Sequence, residues 1–165
     1  MSSTSIKNTV ELGSPVLARI FLLSEELKGQ PTDSLCEDSK LCQDIFKKFL
    51  PKASLSIIAG NDFVVEVASS GFETLVKTAR CLDEIRRKVY SLRADGQDVV
   101  LKASISLGSS SESPEELIAT TAPMQVTLEP EVASAITAEF AIVERLPIDL
   151  PEGRKCLFYL HTPLQ

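Results

Sequence analysis

Tryptophan is missing from the 165 residues, aromatics make up only 5%, and His161 is the single histidine. The core must therefore be aliphatic, and site chemistry built on paired histidines is out of reach. The four cysteines, Cys36, Cys42, Cys81 and Cys156, include no C-x-x-C pair. Cys36 and Cys42 fall in or near one helix, six apart, so their side chains diverge. That argues against a zinc site and a disulfide framework, and for reduced, mostly buried thiols in a cytoplasmic protein. No apolar run approaches the roughly 20 residues of a membrane span. Residues 1–14 read as a polar tail without an apolar signal core, leaving 15–165 as a single domain. No internal repeat or linker divides that stretch.

Basic residues are in deficit. Seventeen Lys and Arg face 23 Asp and Glu, for a net charge of −6 and a pI near 4.9. An acidic chain repels phosphate backbones, so nucleic acid is not an expected partner. The one basic cluster, Arg86, Arg87 and Lys88, sits beside Asp83 and Glu84 in a helical pattern and reads as a solvated, salt-bridged face. The serine run Ser109 to Ser111 lacks the glycines and the lysine of a phosphate cradle. Two acid pairs, Glu25–Glu26 and Glu115–Glu116, read as helix starts, where the helix dipole accounts for them more cheaply than general acid–base work does.

What is present is a well-punctuated series of elements. Pro15 to Leu23 is a near-continuous apolar run that suits a strand covered on both faces. A loop over 28–33 precedes a helix from about Asp38 to Leu50, with Leu41, Cys42, Ile45, Phe46, Phe49 and Leu50 at helical spacing. Leu55 to Ala59 and Phe63 to Val67 flank Gly60-Asn61-Asp62, a tight hairpin turn whose Gly and Asn tolerate positive φ. Ser70 and Glu73 form a capping box for a helix of about 20 residues, with Phe72, Leu75, Val76, Ala79, Leu82, Ile85, Val89 and Leu92 three or four apart. Ala94-Asp95-Gly96 ends it. Val99 to Leu107 is a strand with Leu101, Ala103, Ile105 and Leu107 on one face. Ser113-Pro114-Glu115-Glu116 starts a short helix. Met124 to Leu128, Pro130 to Ile136, Phe140 to Leu146 and Lys155 to Leu160 read as strand, helix and a closing strand pair, the last two joined by a loop with Pro147, Pro151 and Gly153. The order β-α-β-β-α-β then α-β-α-β-β is an α+β fold. It has a ferredoxin-like βαββαβ core, with two helices covering one face of a mainly antiparallel sheet.

In element order over residues 15 to 162, the chain resembles the class III adenylate/guanylate cyclase homology domain. The landmarks are the hairpin Ala59-Gly60-Asn61-Asp62-Phe63, the strand ending Ile105-Ser106-Leu107-Gly108, and the run Val126-Thr127, Pro130 to Ile136, Phe140 and Phe158-Tyr159-Leu160. The diguanylate cyclase domain is a rival on the same core. Ala59 to Phe63 aligns on its Gly-Gly-Asp-Glu-Phe turn, and Ser113 to Leu117 resembles a later helix start. That family normally ends soon afterwards, whereas about 40 further residues here read as organised structure.

The class III resemblance implies two divalent metals held by carboxylates, because hard cations take oxygen ligands. The first metal Asp would fall at Leu23, two residues after Phe21, and the second at Asn61. The base-reading Lys would fall at Ile57. The Asn-x-x-x-Arg helix would fall at Glu116 to Pro123, which holds neither residue. In the rival family the first turn glycine would be Ala59 and the central Asp would be Asn61. Asp62 is the one nearby carboxylate, and it reads as a turn residue bonding its own backbone. No catalytic, cofactor-binding or metal residue is therefore assigned. The expectation is a catalytically inactive, nucleotide-cyclase-like regulatory or protein-interaction module, most simply a homodimer, with no cofactor. The alternatives are a nucleotide or small-molecule sensor, and a cyclase with an altered metal site using Asp62.

Overall fold

A computed structural model describes residues 15–27, 31–68, 71–108, 114–144, 148–150, 153–155 and 158–163. Ser70, Ser113, the run Ser109 to Ser111 and Cys156 lie outside them, as does the tail 1–14.

β1, Val16–Leu23, alternates strictly. Val16, Ala18, Ile20 and Leu22 are fully buried, while Leu17, Arg19, Phe21 and Leu23 are half-buried. The apolar run is thus covered unequally on its two faces. α1, Asp33–Phe49, begins five residues before the expected start. The reason is Thr32, whose Oγ1 accepts a hydrogen bond from the Leu35 amide at 3.1 Å and so satisfies one of the unpaired donors of the first turn. Leu35, Cys42 and Phe46 face the core, but Leu41 is 42% exposed on the solvent side.

β2, Ser54–Ala59, and β3, Asp62–Val67, form the hairpin. Ala59 already pairs with Asp62, so the turn is Gly60-Asn61 alone. Among the described residues positive φ is confined to Met124, Gly71 and Gly96. The turn therefore does not use the left-handed conformation expected of it. Gly60 is needed for space: a Cβ there would run into the Cys36 Sγ on α1.

α2, Phe72–Ala94, carries the long stripe, and Leu75, Ala79, Leu82, Ile85, Val89 and Leu92 are all buried. Its cap position is Gly71, with no side-chain cap bond, and the expected box involves Ser70, which lies outside the described residues. At the other end Gly96 takes φ 94° and the Gln97 amide returns to the Leu92 carbonyl at 3.1 Å, a left-handed stop that glycine permits without a Cβ clash. Arg86 is not solvated as expected. It is buried, donating to Asp83 at 2.8 Å and to the Leu160 carbonyl at 2.7 Å.

β4, Val100–Leu107, is followed by α3, Pro114–Thr120, β5, Gln125–Leu128, α4, Pro130–Ile136, and β6, Phe140–Glu144. The expected loop then contains a small hairpin of its own, β7, Ile148–Leu150, and β8, Gly153–Lys155. β9, Phe158–Pro163, closes the chain. Seven strands form one sheet in the order β2-β3-β1-β4-β5-β9-β6. All its pairings are antiparallel except β4 with β5, which α3 connects as a crossover. Apolar side chains of α1, α2 and α4 join those of the sheet in one core that is mainly aliphatic but includes the fully buried Phe46, Phe63 and Phe140. α3 covers the opposite face. Its Leu117 and Ile118 are buried outside that core, and Thr121 just beyond it meets Thr127 at 2.7 Å, which alternates with the core residues Val126 and Leu128.

Candidate functional site

Hydrogen bonds tie the hairpin turn to the C-terminal end of β1. The Leu22 amide donates to the Asn61 carbonyl at 2.9 Å, and the Asn61 Nδ2 donates to the Leu22 carbonyl at 2.8 Å. Asn61 is only 1% exposed. A carboxylate at this position would set an anionic oxygen against a carbonyl oxygen, so the amide is what permits the closed arrangement.

Next along β3, Asp62 is buried and faces Arg19 of β1. Arg19 Nε donates to Oδ1 at 3.0 Å and Nη2 to Oδ2 at 2.6 Å. This bidentate pair satisfies both carboxylate oxygens. The hydrogen bonds that Arg19 donates to Asp62 raise the guanidinium pKa against the opposing effect of burial, with Glu115 of α3 adding to the attraction. The expected local turn bond of Asp62 is thus replaced by a cross-strand ion pair. Arg19 escaped the sequence reading, although a lone arginine inside an apolar strand was a visible signal.

Leu23 and Asn61 come to neighbouring positions at one end of the sheet, as expected. Ile57 does not join them, because it lies on the edge strand β2 and is 56% exposed. Glu25 and Glu26 do not start a helix. Their amides donate to the Asp98 carboxylate at 2.9 and 3.3 Å, Ser24 Oγ donates to the same group, and these bonds hold the Asp98 pKa below the ordinary range. Leu23 lines a cavity of about 250 Å³ beside this loop, with Ser24, Glu25, Arg93, Val100, Lys102, Pro123 and Met124.

No family model matches the sequence, and no curated protein matches it. Solved structures do. The guanylate cyclase domain of RhGC from Catenaria anguillulae, solved with GTP, superposes with a TM-score of 0.70 at 7% identity, over 93% of this chain and 100% of that one. The adenylyl cyclase CyaB from P. aeruginosa gives 0.66 at 11% identity, over 94% and 97%. A dimeric guanylyl cyclase domain from the aquatic fungus Blastocladiella emersonii gives 0.65 at 8%, over 94% and 98%. The fold is that of a class III nucleotide cyclase catalytic domain.

The residues that the resemblance would place at a two-metal centre do not fit one. Leu23 offers no donor atom, the Asn61 amide nitrogen is committed to Leu22, and both Asp62 oxygens are engaged by Arg19. Among the described residues no group of three or more His, Cys, Asp or Glu is placed to hold a metal ion, and no helix is long and apolar enough to cross a membrane.

Proposed function

We propose that this cyclase-fold domain is non-catalytic and works as a regulatory protein-contact module, most simply by pairing with a second copy of itself. The observation that carries the reading is Asn61. Where a cyclase-like site would need a carboxylate, the side chain is turned inward as a clamp on β1, with Leu23 beside it. Recruiting Asp62 to a metal in its place would require breaking its pair with Arg19 and leaving that guanidinium half-buried and unmatched.

The surface that supports pairing is β2. It is one of the two outer strands of the sheet, Ser54 to Ala59 contains no charge, and Ile57 and Ile58 are 56% and 53% exposed. Natural edge strands are usually guarded by charges, proline or a covering element, and an unguarded one is open to pairing.

The test has two arms. Incubated with ATP or GTP and magnesium or manganese, the protein should form cyclic product at background only, at every protein concentration. Turnover that disappears in Asp62→Ala would overturn the non-catalytic reading. Light scattering at micromolar concentration should report a dimer that Ile57→Lys returns to monomer. A lasting dimer should bury more than about 1,000 Å² in total, and a strict monomer would defeat the pairing.

A further inference from the structure

The cavity at the end of β1 combines three features that neither the fold nor the pairing requires. Its volume of about 250 Å³ corresponds to roughly eight waters of liquid, so it suits a small ligand. Its walls are chiefly apolar, from Leu23, Val100, Pro123 and Met124. Leu23 and Val100 are direct partners in the β1–β4 register, and Lys102 follows Val100 on the same face of the strand.

The second feature is the balance of charge. Arg93 lines the cavity but is engaged: its Nη1 lies 3.0 Å from the Glu25 carboxylate and donates to the Val99 carbonyl at 2.8 Å. Glu25, the lining carboxylate, is thereby matched. Asp98 nearby accepts from Ser24 and from the Glu25 and Glu26 amides. Among the described residues Lys102 has no ion-pair partner. Within the lining, the charge left outside an ion pair is that of Lys102, set against apolar walls.

Third, Met124 holds φ at 64°, a left-handed conformation that costs a side-chain-bearing residue energy and recurs at functional sites. Its amide donates to the Leu101 carbonyl at 2.6 Å, and its Sδ accepts from the Leu101 amide at 3.4 Å. The strained residue is thereby fixed in the lining that it shares with Leu23.

From these features we infer that the cavity binds a small aliphatic carboxylate, its hydrocarbon chain between Leu23, Val100 and Met124 and its carboxylate on the Lys102 ammonium. The inference rests on Leu23 being a wall and not a metal ligand, but it does not depend on pairing. A six-carbon acid has about the volume the cavity provides. Burial of its chain supplies the attraction, and the charge-assisted hydrogen bond to lysine supplies the sign preference.

The probe is hexanoate, titrated into the full chain and followed by amide NMR, with hexylammonium and hexanol as matched controls. Saturable shifts should centre on Leu23, Val100, Lys102 and Met124. Hexanoate should bind about tenfold tighter than hexanol, and Lys102→Met should remove that advantage while Lys102→Arg keeps it. Hexanoate and hexylammonium binding equally, shifts centred elsewhere, no saturation, or an unchanged preference in Lys102→Met would each overturn the inference. Comparison of the three probes on the unaltered chain keeps the test decisive if a variant fails to fold. Cyclase turnover, or a strictly monomeric protein, would refute the proposed function without moving these readouts.

Discussion

The two faces of the central sheet follow different rules. On one face Val16, Ala18, Ile20 and Leu22 of β1 and Leu101, Ala103, Ile105 and Leu107 of β4 meet three helices in an almost wholly aliphatic core. On the other, the same strands present Arg19, Phe21 and Leu23, and Lys102, Ser104 and Ser106, beneath one short helix. The first face is fixed by volume and patterning, and any set of well-packed aliphatics would serve it. The second is fixed by pairwise chemistry, in the Asn61 clamp and the Arg19–Asp62 pair, and the proposal of a non-catalytic domain rests on these contacts.

The comparison breaks most severely on the core face. Leu82 is fully buried in the middle of α2, and Leu82→Ala should cost about 2–5 kcal/mol through lost transfer energy and the cavity left behind. Denaturant unfolding should show a fall in midpoint with little change in slope. A loss well below that range would mean that the helix layer is loosely packed and the two faces are not so different. On the opposite face, Asp62→Asn removes the charge but nearly keeps the shape. It strands Arg19, whose side chain is only 13% exposed, and should cost about 1–3 kcal/mol, less than a deeply buried pair because water still reaches the edge. An Arg19→Met, Asp62→Leu double variant should regain much of that loss. If the single and double variants are equally unstable, the pair contributes shape and not charge.

The core face was legible in the sequence because its rule is periodic. The stripe from Leu75 to Leu92 and the alternation from Leu101 to Leu107 name their own partners, and the sheet order follows once two helices and a hairpin are placed. The start of α1 was missed because Thr32 sits behind Pro31 in a polar stretch, where a capping hydroxyl looks like any other loop residue. The second face was only half legible. Spacing from Phe21 and from Gly60 brought Leu23 and Asn61 to the right end of the sheet, but their contacts depend on register between strands some 40 residues apart, which no local pattern encodes. Arg19 meets Asp62 only because β1 and β3 pair with Phe21 opposite Asp62. Arg86 misled for a related reason: its neighbours along the helix predict a solvated salt bridge, and the carbonyl of Leu160 that buries it comes from the far end of the chain.

The smallest effect concerns a carboxylate on the helix side that, unlike the buried Asp83 with its Arg86 partner, forms no ion pair among the described residues. Asp38 of α1 is buried, and its Oδ2 has no hydrogen-bond partner among the described residues. Burial pushes its pKa up, Glu37 adds to the rise, and Lys88 of α2 opposes it. A carboxyl whose folded-state pKa lies above its unfolded value holds its proton more tightly when folded. Stability therefore falls as pH rises from the ordinary carboxylate range through the raised folded value, and the full cost is present at neutral pH. Asp38→Asn removes the titration, nearly preserves the shape and leaves helix propensity almost unchanged. Near neutral pH it should raise stability by about 0.5 kcal/mol or less, and below the ordinary carboxylate range the gain should vanish, because Asp38 is then protonated in both states. Paired thermal melts of the two proteins across that pH interval give the sign. A neutral-pH loss in Asp38→Asn would mean that the carboxylate is held by a favourable contact, most directly Lys88, as Asp83 is held by Arg86.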